Sequence, residues 1–101
     1  MHVEQVTAER WFAVLFGNES AQAAVMTLPP GESTGGPENY HAESDQWLYV
    51  IDGAGRAVIE GEAVELSAND LALIEAGESH EIRADEEEAL ETLNLYVPPE
   101  Y

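Results

Sequence analysis

The chain contains no cysteine and no lysine, and arginine supplies its only three basic residues, Arg10, Arg56 and Arg83, in 101 positions. The missing cysteine excludes disulfides, thiol nucleophiles and thiolate metal sites. The scarcity of basic residues is sharper still against 21 Asp and Glu, which set the formal charge at −18. Nothing in such a chain neutralises a row of phosphates, so nucleic acid and anionic membrane surfaces are not expected partners. Long apolar runs are also lacking, and a membrane-spanning helix needs about 20 such residues. The opening Met1-His2-Val3-Glu4 has neither the basic nor the apolar region of a signal peptide, so the expectation is a cytoplasmic protein.

What the chain does have is enough apolar material to fold. Hydrophobic residues make up 45% of it, including two tryptophans and four tyrosines, which separates it from the charged, aromatic-poor composition of disordered chains. Its length allows one domain over residues 1–101 with a modest core. Abundant carboxylates without lysine fit a halophile-type surface, working in concentrated salt where screening removes self-repulsion.

Short apolar runs alternate with turn residues about every ten positions, the all-β pattern. Candidate strands are Trp11 to Phe16, Ala23 to Leu28, Gln46 to Ile51, Ala57 to Ile59, Ala63 to Leu66, Leu71 to Ile74, His80 to Ala84 and Leu90 to Val97. The Gly, Ser, Thr and Pro-rich stretch Gly31 to Glu38 reads as a loop, and Asp52-Gly53-Ala54-Gly55 as a hairpin turn. Asp85 to Leu93 has a capping box for a helix in Asp85 and Glu88, but the regular strands around it favour an acidic turn followed by a strand. Nine or so short strands in so small a chain close into a barrel or stack as a sandwich, which disposes of exposed edges.

Two histidines punctuate this pattern. The first stands in Gly36-Pro37-Glu38-Asn39-Tyr40-His41, followed after four residues by Gln46 and after six more by Gly53. The second ends Asn69-Asp70-Leu71-Ala72-Leu73-Ile74-Glu75-Ala76-Gly77-Glu78-Ser79-His80. This resembles the two-part motif of the cupin superfamily. There the first part is a glycine, a His-x-His pair, a glutamate and a glycine; the second is Gly-Asp, an apolar strand, Pro-x-Gly and a final histidine. The resemblance implies an all-β fold, the cupin double-stranded β-helix or jelly-roll barrel, with a metal-sized pocket. It places His41 and His80 at two of the histidine positions, Asn39 at the missing first histidine and Gln46 at the glutamate. Glu75 replaces the proline and Asn69 the glycine before Asp70.

Strand alternation puts Asn39, His41 and Glu43 on one face, so Ser44-Asp45 must bend if Gln46 is to join them. From there Leu48 and Val50 share the side of Gln46, while Trp47, Tyr49 and Ile51 take the other. Mostly apolar neighbours, Ile82 and Ala84, accompany His80 inward. By resemblance, the metal site is His41, Gln46 and His80 with Asn39 or Glu43 completing it, and two imidazoles suit a divalent transition metal such as Mn, Fe, Ni or Zn. Amide donors leave the ion's charge uncompensated, which lowers affinity and strengthens Lewis acidity. Glu43 could supply the missing carboxylate.

The stretch from Val25 to Glu32, the pair Asp45-Gln46 and the ending Tyr96-Val97-Pro98-Pro99 resemble a subgroup of small single-domain cupins that use Gln for Glu. Two functions follow from the resemblance: a metal-dependent enzyme acting on a small polar molecule such as a sugar or organic acid, or a small-ligand binding or sensing module without turnover. Candidate general bases are limited to Glu43, Glu75 and Tyr40. The stripe Trp47, Tyr49 and Ile51, with Trp11 and Phe12 near it, predicts a homodimer interface.

Overall fold

A computed structural model describes residues 1–6, 11–36 and 39–101 and builds them from seven strands, every pair antiparallel, with no helix among the described residues. Pro37 and Glu38 of the first motif, and Arg10, lie outside the described residues. The strands are β1 (Phe12–Gly17), β2 (Gln22–Leu28), β3 (Asp45–Ile59), β4 (Glu62–Ser67), β5 (Leu71–Ile74), β6 (His80–Ala84) and β7 (Leu90–Val97). The fold is the double-stranded β-helix. Asp85 to Ala89 form the acidic turn, and the strand after it starts at Leu90.

Strand β3 organises the barrel. Its first half pairs with β7 on one side and β5 on the other, and its second half pairs with β4 and β6. The outer strands β2 and β1 extend the β7 side. A single long strand can serve two sheets only if it bends between them. The bend is a bulge: Val50 pairs with Thr92 and Asp52 with Glu91, so Ile51 is the extra residue. It flips the inward parity of β3, from Gln46, Leu48 and Val50 before it to Gly55 and Ala57 after it.

The hairpin expected at Asp52 to Gly55 is therefore not a turn. Those residues lie inside β3, and the glycines serve close backbone passage instead. Gly53 has φ +93, and a Cβ there would lie 1.9 Å from the Ala89 carbonyl oxygen; at Gly55 it would lie 2.3 Å from that of Arg83. The true hairpin comes later. Glu60 and Gly61 link the paired Ile59 and Glu62, both at positive φ (49 and 80), as a type I′ turn requires.

Leu28, Leu48, Val50, Ile74, Ile82 and Leu90 form the centre of one buried apolar cluster. The segment Glu32 to Thr34 runs along β6, exchanging backbone hydrogen bonds with Ile82 and Ala84 and covering that edge. No described Asp or Glu is buried. The outer face of the β5, β3 and β7 strands is apolar: Trp47 lies opposite Leu73 and Leu95, and Tyr49 opposite Leu71 and Leu93. Trp47, Tyr49, Leu71, Leu73 and Leu95 are all exposed there. Ile51, the bulged residue, is only partly so. No helix among the described residues is long and apolar enough to cross a membrane.

Candidate functional site

The site is built from the polarity of one backbone carbonyl. Met26 O on β2 can only accept, so the Thr92 hydroxyl donates to it (2.9 Å). The Thr92 oxygen then accepts from Asn94 Nδ2 (3.0 Å), and Asn94 Oδ1 accepts from Gln46 Nε2 (2.8 Å). Each amide in the relay has one orientation left to it. The Gln46 carbonyl oxygen consequently faces His41, with Oε1 3.1 Å from Nε2. Thr92 and Asn94 are fully buried, so an unpaired group anywhere in the chain would carry its whole desolvation cost.

His41 precedes β3, in a loop stitched to the turn before β6. Gly77 N donates to His41 O (2.7 Å), and His80 N donates to Asn39 O (2.7 Å). The other ring nitrogen of His41, Nδ1, lies 3.2 Å from Glu100 Oε1. A carboxylate behind an imidazole holds the ring and its tautomer, leaving Nε2 as the forward atom. His80 opens β6 and is buried; its Nδ1 donates to Glu78 O (3.2 Å), which leaves its Nε2 lone pair uncommitted to that contact. The two rings stand 4.9 Å apart at 40°. Burial lowers the His80 pKa, and the neighbouring His41 pushes the same way, against the opposing pull of the Glu78 carbonyl and charge.

The structure thus brings His41, Gln46 and His80 together. Asn39 reaches the same cavity, but its Nδ2 is turned to Thr34 O (3.3 Å). Glu43 is exposed at a bend over Ala42 and Glu43, and is not among the residues lining the cavity. The shared face expected for Asn39, His41 and Glu43 fails because that segment is a loop rather than a strand. Glu75 likewise sits in a surface turn, its N–H held by Glu78 Oε1 at 2.7 Å. Asn69 takes φ 74 at the position where the motif has glycine, a conformation that Asn tolerates.

Sequence reasoning missed Glu100, Thr92, Asn94, Tyr96 and Tyr101. The last strand did carry a signal: Leu90, Thr92, Asn94 and Tyr96 alternate onto its inner face, and two of these are polar. Glu100 carried none, because only the folding back of the segment after Pro98 sets it against His41. That segment is held by Gln22, whose amide donates to Tyr101 O (2.7 Å) and accepts from Tyr101 N (2.9 Å).

Around these groups lies a cavity of about 470 Å³. Its polar end is His41, His80, Gln46, Asn39 and Thr34, and Met26 and Ile82 form part of its floor. Trp11, Phe12, Tyr40, Tyr96 and Tyr101 supply the rest. Tyr96 and Tyr101 meet edge to face at 5.2 Å between ring centroids, and burial raises both phenol pKa values, so both remain protonated near neutral pH. Among the described residues no group of three or more His, Cys, Asp or Glu gathers at metal-binding spacing. Any ion here would depend on an amide beside its two imidazoles.

A double-stranded β-helix with two inward histidines and an amide at the mouth of its barrel defines a class of small pocketed barrels. The family model described as a cupin domain matches residues 24–96, and the chain belongs to the cupin family. Over 57 residues, 56% of this chain, it is 38% identical to the tetracenomycin polyketide synthase protein TcmJ of Streptomyces glaucescens, of which the matched stretch spans only 37%. A solved structure from Bacillus halodurans superposes with a TM-score of 0.84 at 25% identity, over 90% of this chain and 72% of that one. A predicted oxalate decarboxylase from Thermotoga maritima superposes with a TM-score of 0.75 at 29% identity, over 87% of this chain and 79% of that one.

Proposed function

We propose that this cupin holds a divalent transition metal, Mn, Fe, Ni or Zn, between His41, Gln46 and His80, and that its cavity takes a small organic molecule beside the ion. One observation carries the reading. His41 Nε2 and Gln46 Oε1 face each other at 3.1 Å, each held in place by a partner behind it. Two imidazoles and an amide oxygen form a neutral face with room for ligand or water oxygens, a donor set suited to these ions and of modest affinity. A bound ion would supply Lewis acidity; the chain's residues orient the donors, and the aromatic walls offer apolar surface to a ligand. Asn39 stands nearby as a further neutral donor, and Glu43 would need the loop to turn over.

Binding without turnover is favoured by a second observation. No described residue lining the cavity is Asp or Glu, and the buried Tyr96 and the more exposed Tyr101 both keep their phenol protons. With His41 and His80 engaged as metal ligands, proton abstraction inside the pocket has no carboxylate to turn to, and a sensing or carrier role needs none. The names of the Streptomyces and Thermotoga proteins put polyketide synthesis and oxalate decarboxylation among the chemistries open to proteins similar to this chain.

The same proposal covers the chain's setting. We assign it to the subgroup of small cupins with Asp45-Gln46 and a Tyr-x-Pro-Pro ending, with an acidic surface adapted to concentrated salt in the cytoplasm, and pair it with a second copy. The outer face around Trp47 and Tyr49 is an uncharged island on a chain of −18. A second copy offers the same uncharged surface, and salt screens the remaining repulsion.

Metal content of protein purified without chelator tests the central claim. A transition metal near one per chain, and a thermal midpoint raised by adding Mn, Fe, Ni or Zn, are expected. No metal and no shift with any of the four would overturn it.

A further inference from the structure

The cavity walls are more aromatic than a metal site requires. Trp11 precedes β1 and Phe12 opens it, Tyr40 is the chain neighbour of His41, and Tyr96 and Tyr101 complete the wall. Phe12 meets Tyr101 at 4.9 Å between ring centroids, Tyr101 meets Tyr96 at 5.2 Å, and Tyr96 meets His41 at 5.4 Å. All three contacts are T-shaped, with ring edges against ring faces, and a flat aromatic guest extends the same pattern.

The polar atoms, by contrast, are largely spent on the protein itself. Gln46 gives its nitrogen to Asn94 and Asn39 gives its nitrogen to the Thr34 carbonyl. Thr34 Oγ1 accepts from Ile82 N at 3.0 Å. A polyhydroxylated ligand would surrender its water here and recover few hydrogen bonds. An anion fares no better. No described lining residue is Lys or Arg, and the chain's charge of −18 repels it on approach.

Resting on the reading that this cavity is the ligand site, we infer that it takes a flat, uncharged aromatic molecule bearing a hydroxyl or carbonyl oxygen. Its ring lies among Trp11, Phe12 and Tyr101, with the oxygen toward His41 and His80. The volume suits such a guest, since pockets of about 300–1,000 Å³ hold organic ligands of drug size. This moves the ligand class away from the sugars and organic acids expected from the sequence.

The test titrates 2-naphthol, oxalate and glucose calorimetrically into the full chain, first metal-free and then loaded with Ni or Mn. 2-Naphthol should bind the metal-free protein about tenfold or more tightly than either comparator. Saturation-transfer NMR on the unaltered chain should place its ring protons against protein aromatic protons. Trp11→Leu should weaken 2-naphthol binding about tenfold without changing metal uptake, and Trp47→Leu on the outer face should leave it unchanged. Tighter binding of oxalate or glucose, or no 2-naphthol binding by folded wild-type protein, overturns the inference. If metal is taken up but 2-naphthol is not, the inference alone falls. If 2-naphthol binds but no metal does, the inference stands and the metal proposal falls.

Discussion

His41 Nε2 lies 3.1 Å from Gln46 Oε1, and neither group is free to turn away. Behind His41 stands the Glu100 carboxylate at 3.2 Å, and behind Gln46 stands Asn94 at 2.8 Å. With Nδ1 donating to Glu100, an acceptor oxygen and a ring nitrogen confront each other. Either a hydrogen on Nε2 or a cation near both must reconcile them. A cation placed between them would satisfy both, with the Glu100 carboxylate behind the ring.

Asn94→Ala should expose how far this arrangement depends on the relay. The substitution leaves Gln46 Nε2 without its acceptor and Thr92 Oγ1 without its donor, both buried. Unpaired buried groups cost about 1–3 kcal/mol each, so the metal-free chain should lose stability of that order in denaturant titrations. Metal affinity should also fall, because Gln46 can now rotate. An unchanged midpoint would show that the relay is not stabilising.

Glu100→Gln makes the contrasting case. The carboxylate is partly exposed, so its removal should change metal-free stability little. Loss of a partner behind a metal-bound imidazole costs about 10–100-fold in metal affinity. Competition titrations with a chromophoric chelator would show that drop. Equal affinities in the two proteins would remove Glu100 from the site.

The His80 environment sets a pH dependence. Burial lowers its pKa in the folded chain relative to about 6.5 unfolded, so the unfolded state binds the proton more readily. Its contribution is fully present above 6.5 and is eroded as the pH falls through 6.5 toward the lower folded value. Unfolding midpoints between pH 7.5 and 5.5 should decline in the wild type and flatten in His80→Gln. Parallel curves for the two would refute the assignment.

Salt should act in the opposite direction to acid. Raising ionic strength from 0.1 to 1 M shortens the screening length from about 10 to about 3 Å, which relieves repulsion among carboxylates, none of which is buried among the described residues. Thermal midpoints in potassium chloride should therefore climb over that range. A flat response would end the halophile proposal.

The dimer proposal predicts that Trp47→Glu yields a monomer. It sets a charge amid Leu73, Leu95 and Tyr49 and should leave the fold intact, because the residue is already exposed. Light scattering in high salt should give twice the 11.0 kDa chain mass for wild type and the single mass for the variant. A wild-type mass near 11.0 kDa at every concentration would refute the interface.

Alternation and turn residues alone determined much of this protein. β5, β6 and β7 begin and end where their apolar runs do, since a strand's period of two is written locally. His41, Gln46 and His80 were legible because their spacing resembles a known motif, and His80 because its inward neighbours are apolar. Tertiary structure decided the rest. Gly53 and Gly55 read as a turn but permit a bulged strand to pass close to Ala89 and Arg83, residues some thirty positions away in the chain. Glu43 read as a ligand, yet a loop turned it outward while Glu100 arrived from the far end of the chain. Local patterns encode which face a residue takes; they do not encode which distant carbonyl, ring or carboxylate will meet it, because that depends on packing the whole barrel at once.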